Sequence, residues 1–158
     1  DTPNNRWVND ENLCKALASM WAKLNVKVNV HSMPRAQYFP KVLSFDTSAG
    51  LVGWGSSTFD AYYSLQSLSA TYDGASGAGI SNIGRASDQQ MDALLKKLNL
   101  AEDLNERKAL AQQALSLEQN QVLHIPLLQP MFSWAMKKNI DPIVRPDNKL
   151  TLEWIVVH

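Results

Sequence analysis

Apolar positions recur with two different periods along this chain, and the alternation between them outlines the fold. Leu13, Leu17, Met20, Trp21 and Leu24 return every three or four residues behind Asn9 and Asp10, which can cap a helix. Residues 10–24 therefore read as an amphipathic helix. Val26, Val28 and Val30 then alternate with Lys27, Asn29 and His31, the period-two pattern of a half-buried strand, which Pro34 ends. Residues 35–43 suit a short helix with Pro40 in its first turn or shortening it. Leu51 to Trp54 is a short apolar strand. Strand, helix and strand over 26–54 have the length of a right-handed βαβ crossover.

The second half continues the pattern. Ser87 and Gln90 form a capping box, followed by Met91, Leu94, Leu95 and Leu98 at helical spacing. Asn105 caps another helix, with Leu110, Ala111, Ala114 and Leu117 on one face. Leu123 to Leu128 is apolar around Pro126, as an edge strand would be. Phe132, Trp134 and Met136 alternate, and Leu150, Leu152, Trp154 and Val156 mark a final strand. The whole predicts an α/β protein, a mixed β-sheet flanked by helices. There is no internal repeat.

Composition narrows the classes. Among 158 residues, 45% are apolar and 19% charged, with 15 basic against 15 acidic side chains. Such a chain has enough apolar surface to fold. Its zero net charge provides no long-range attraction to nucleic acid or anionic lipid. The single cysteine, Cys14, cannot pair within the chain and makes no zinc site. No apolar run approaches the ~18 residues of a membrane span. The first twelve residues hold only Trp7 and Val8 as apolar non-proline residues, so no signal peptide is visible.

The middle of the chain differs from its flanks. All seven glycines fall between Gly50 and Gly84, and no Lys or Arg occurs from Val42 to Gly84. Its acids are Asp46, Asp60 and Asp73, and its aromatics (Trp54, Phe59, Tyr62, Tyr63, Tyr72) set it apart from a flexible linker. Catalytic and metal motifs are missing: no Gly-x-Ser-x-Gly elbow, no His-x-x-x-His, no Cys-x-x-Cys and no phosphate loop. His124 sits beside an apolar run and reads as structural. What remains is the stretch from Trp54 to Tyr63, directly after a short strand, where open α/β sheets bind ligands. Trp54 offers a flat apolar surface, while Ser56, Ser57, Thr58 and Asp60 offer hydrogen bonds with little charge. That mixture suits a pocket for a small polar organic ligand, with Trp54, Gly55, Ser57, Thr58 and Asp60 as candidate contacts and no metal or cofactor. An alternative is a small hydrolase or transferase using Asp60 with a serine, for which the sequence names no good base.

Several segments resemble one family in order and spacing. They are Asn4-Asn5-Arg6-Trp7-Val8-Asn9-Asp10 with the following helix and Val26-Lys27-Val28, then Gly53-Trp54-Gly55. Further along come Ala70-Thr71-Tyr72-Asp73, Gly77-Ala78-Gly79, Asn82, Gly84-Arg85, Asp92-Ala93-Leu94-Leu95, Glu106 to Leu110 and Ile125-Pro126-Leu127. The family is the extracellular solute-binding proteins of the dipeptide, oligopeptide and nickel class, family 5, which serve ABC importers. The resemblance implies one lobe of a type II periplasmic-binding-protein fold, in a periplasmic or lipid-anchored, non-enzymatic receptor that closes on a solute and docks on a permease. It implies that 1–158 is the carboxyl-terminal lobe, with the first lobe, the hinge and a signal peptide upstream of Asp1. Trp54 matches the family's pocket tryptophan. The aspartate that pairs with a peptide's α-amine, three residues later, is Ser57 here, and a neutral hydroxyl cannot make that charge-assisted bond. Asp60, three residues further on, is the nearest substitute.

Overall fold

The computed structural model describes residues 1–131, 133–145, 147 and 149–158. Its first unit is a parallel βαβ crossover. β1 (Thr2–Pro3) leads into α1 (Asp10–Ala22), and the chain returns through β2 (Ser32–Met33), pairing Thr2 with Ser32 and Pro3 with Met33. A third segment flanks β1 on its other side. The Asp1 amino group donates to the Ala49 carbonyl at 2.8 Å, and Leu51 N–H donates to the Asp1 carbonyl at 3.2 Å. This crossover runs over Thr2–Met33 and is not the one predicted over 26–54, whose first strand at 26–30 does not form.

The predicted strands shorten for one reason: each needs a partner along its length. Beside the two residues of β1, pairing starts only at the His31 carbonyl, which accepts from Thr2 N–H. The Val26–Val30 run lies before that point and is not a strand; Val26 N–H instead donates back to Trp21 and finishes the α1 turn. Of the 51–54 run only Leu51 is paired. The 123–128 run and residues 133–137 are irregular, and Phe132 lies outside the described residues. In the 150–157 run, a 3-10 turn at Leu152–Trp154 leaves β4 (Val156–Val157), which pairs antiparallel with β3 (Ile140–Asp141). Among the described residues the parallel pair β1–β2 and the antiparallel pair β3–β4 are two separate two-stranded sheets, with an isolated antiparallel bridge between Asp73 and Ala78.

Helices carry most of the order. α2 (Arg35–Leu43) starts behind Pro34 and runs through Pro40, which sits mid-helix rather than in the first turn. Buried Tyr38 and Val42 hold that helix against the strands, and the Tyr38 hydroxyl donates to the Leu51 carbonyl at 2.7 Å. α3 (Ala61–Leu68) was not anticipated from the pattern. α4 (Gln89–Leu100) and α5 (Leu104–Gln121) confirm the two later helices with their caps moved. Asp88, not Ser87, caps α4 by accepting from Met91 N–H at 2.8 Å, and Ser87 pairs with the Thr71 hydroxyl instead. Asp103, not Asn105, caps α5, taking both Asn105 and Glu106 N–H on one oxygen. In both places a carboxylate within two residues of the predicted cap, one after Ser87 and two before Asn105, reaches the free N–H groups of the first turn.

The core lies where α3, α4 and α5 meet. Leu65, Ala70, Met91, Leu94, Leu95, Leu98, Leu110 and Ala114 form it. Asn82, 2% exposed, fixes the preceding loop: its amide donates to the Ala70 and Ala86 carbonyls and accepts from Ala86 N–H. No described helix is long and apolar enough to cross a membrane.

Candidate functional site

The Trp54 loop leaves the third parallel segment at its carboxyl end and runs into α3. Trp54 is 38% exposed, and its indole N–H donates to the Ser64 hydroxyl at 3.1 Å. Tyr63 lies beside it, with ring centroids 5.6 Å apart and planes 31° from parallel. α3 therefore holds one edge of the indole and leaves aromatic surface in solvent. Just before it, Gly53 is obligatory, because a Cβ there would stand 2.5 Å from the Trp7 indole nitrogen. Gly55 has open space around it.

The polar members of the loop divide into engaged and free groups. The Thr58 hydroxyl accepts from Asp60 N–H, and the Ser56 hydroxyl reaches the Asp60 carbonyl, both at 3.3 Å. Ser57 is exposed and makes no side-chain hydrogen bond among the described residues. Both oxygens of Asp60 are engaged, while its side chain stays 41% exposed. One oxygen caps α3 by accepting from Tyr62 N–H at 2.7 Å, and the other accepts from Arg107 Nη2 at 2.7 Å. The Arg107 bond, with the cap, holds the carboxyl below its ordinary range. A carboxylate so held is a poor base, which weakens the hydrolytic alternative.

Arg107 is the residue that sequence reasoning missed. Its other nitrogen donates to the Leu98 and Ala101 carbonyls at 2.8 and 2.9 Å. It thus joins the open end of α4 to the start of α3, 47 residues away from its own position. Nothing local in the sequence pairs it with Asp60. α3 had a signal: Asp60 is a good cap ahead of Tyr62 and Leu65. His124 Nδ1 lies 2.7 Å from Glu118 Oε1. No group of three metal-ligating side chains occurs among the described residues.

The fold is that of part of a type II periplasmic binding protein. It superposes on HbpA2 from Haemophilus parasuis with a TM-score of 0.69 at 21% identity, covering 92% of this chain and 28% of that one. It superposes on the periplasmic murein tripeptide binding protein MppA in its unliganded open form with a TM-score of 0.65 at 20% identity, covering 77% and 22%. For NikZ from Campylobacter jejuni, in complex with Ni(L-His), the values are 0.61, 20%, 73% and 23%. In sequence, 119 residues are 29% identical to Heme-binding protein A of Haemophilus influenzae (strain ATCC 51907 / DSM 11121 / KW20 / Rd), 75% of this chain and 21% of that protein. No family model matches the chain. The chain is related to the family 5 extracellular solute-binding proteins, as its motifs indicated, and spans about a fifth of the length of the curated relative it matches.

Proposed function

We propose that this chain is the carboxyl-terminal lobe of the substrate-binding component of an ABC importer, working outside the cytoplasmic membrane. In this reading it does no chemistry. It forms one wall of an interlobe cleft, holds a peptide or another small polar solute, and helps deliver it to the permease. The observation that carries the proposal is the half-exposed Trp54 face, fixed by Ser64 and Tyr63 at the carboxyl end of the parallel segments. A flat apolar surface with a free hydroxyl nearby is what such a pocket requires. Trp54 stacks on the solute, Gly55 lets it approach the backbone, and Ser57 and Thr58 supply hydrogen bonds. Asp60 shapes the loop and offers its partly exposed carboxylate as a further acceptor. The relatives, named for heme and murein tripeptide or holding Ni(L-His), mark the solute classes to try first.

The test is thermal unfolding of the full-length protein with murein tripeptide, heme and Ni(L-His). A true ligand at ~100-fold excess over its Kd adds about 2.7 kcal/mol of stability. Trp54→Ala should shrink that shift. An unchanged shift removes Trp54 from the site, and no shift with any of the three rejects these solute classes.

A further inference from the structure

The Trp54 loop carries a second aromatic side chain that packing does not explain. Phe59 has φ at +58° and is 64% exposed. A left-handed backbone crowds Cβ against a carbonyl oxygen and is rare for a bulky residue. The other non-glycine residues at positive φ each have a local reason. Asn9 and Asn25 are of a type that tolerates this region. Phe45 and Arg85 are held by stacking, with Arg85 Cζ 3.3 Å from the Phe45 ring centroid. Val122 closes α5, its N–H donating to the Glu118 and Gln119 carbonyls. Phe59 lies outside the core cluster, and its ring meets no other ring among the described residues. Its turn is nevertheless held on the following side. Asp60 N–H donates to the Thr58 hydroxyl, and the Asp60 carboxylate is fastened to Tyr62 N–H and Arg107. Strain of this kind persists only where the surroundings over-determine it, and it gathers at ligand contacts.

We infer that Phe59 is a second aromatic contact for the solute of the Trp54 loop, and that its left-handed turn presents the ring. The inference rests on the transport reading and deepens it. Trp54 and Phe59 bracket Ser57 and Thr58 along the loop, and both rings keep surface in solvent. Such a loop selects a solute that joins a flat or apolar portion to a hydrogen-bonding group. Arg107 is a positioning residue in this arrangement. It holds Asp60, the neighbour of the strained turn, without touching the solute.

The experiment uses full-length protein titrated with murein tripeptide, heme and Ni(L-His), and the variants Phe59→Gly, Phe59→Asn and Phe59→Tyr. Gly and Asn accept the left-handed backbone without supplying the ring. For any titrant that binds the wild type, both should raise Kd about fivefold, the worth of one aromatic contact. Phe59→Tyr keeps the ring and should stay within about twofold of the wild-type Kd. Without ligand, the urea midpoint of Phe59→Asn should hold or rise, because strain is relieved and no packing is lost. A lower midpoint there means that the ring packs on the rest of the protein, and it overturns the inference. An unchanged Kd in Phe59→Gly and Phe59→Asn also overturns it. If that unchanged Kd stands beside one raised by Trp54→Ala, Phe59 alone leaves the site and the transport reading stands. If the wild type binds none of the three titrants, those solute classes are rejected and the Phe59 contact falls with them.

Discussion

Asp60 offers a sharp test of how the candidate loop is held. Its two oxygens do different work: one caps α3 and the other binds Arg107. Asp60→Ala removes both. Loss of the cap costs about 1 kcal/mol. The ion pair adds about 0.5–1 kcal/mol and no more, because the Asp60 side chain is 41% exposed and water screens it. Arg107 is not stranded, since it keeps the Leu98 and Ala101 carbonyls. The expected cost is therefore about 1.5–2 kcal/mol, close to the sum of those two terms. Asp60→Asn keeps a good cap and should cost only the ion pair, about 0.5–1 kcal/mol. Urea unfolding of both variants, read as a shift in midpoint at constant slope, separates the terms. If Asn costs as much as Ala, the cap contributes nothing and the account of α3 is wrong. If both are neutral, neither contact forms.

Three further outcomes follow from other parts of the fold. Gly79 has φ +61° and a Cβ there would stand 2.3 Å from the Ala70 carbonyl oxygen, so Gly79→Ala should cost about 2 kcal/mol or more, whereas Gly55→Ala, in open space, should stay within about 0.5 kcal/mol by the same denaturation assay. Asn82→Ala strands the Ala70 carbonyl and the Ala86 carbonyl and N–H, and should cost about 2–4 kcal/mol, with faster hydrogen exchange across 70–86. Stability should also fall in acid. The bond from His124 lowers Glu118 from 4.5, and the bonds from Arg107 and from Met91 N–H lower Asp60 and Asp88 from 3.8. Each contribution is complete above those ordinary values and disappears as pH falls through the lower folded ones. The urea midpoint should therefore drop as pH falls below 4.5, and a midpoint that rises on that acidification contradicts these contacts.

The sequence by itself determined the elements whose cause is local. α1, α2, α4 and α5 arise from runs at helical spacing and from turn-forming residues within a few positions of each end. It also marked Trp54 and its neighbours, because aromatic, glycine and hydroxyl residues cluster there without a basic side chain. Strands were read less well. Val26, Val28 and Val30 have the right alternation, but a strand exists only where another backbone lies beside it, and β1 offers two residues. Caps slipped by one or two positions because Ser87 and Asp88, or Asp103 and Asn105, are all acceptable cap residues, and packing chooses the register. Tertiary structure alone decided the fate of the charges. Nothing near Asp60 in the sequence marked Arg107, which folding brings across 47 residues to one of its oxygens. Glu118 looked like one more polar position on α5 until α3 packed against it and set Ser69 beside its carboxylate. The reason is general: helix periodicity is written in neighbouring residues, whereas the partner of a charge is set by which distant segments the core draws together.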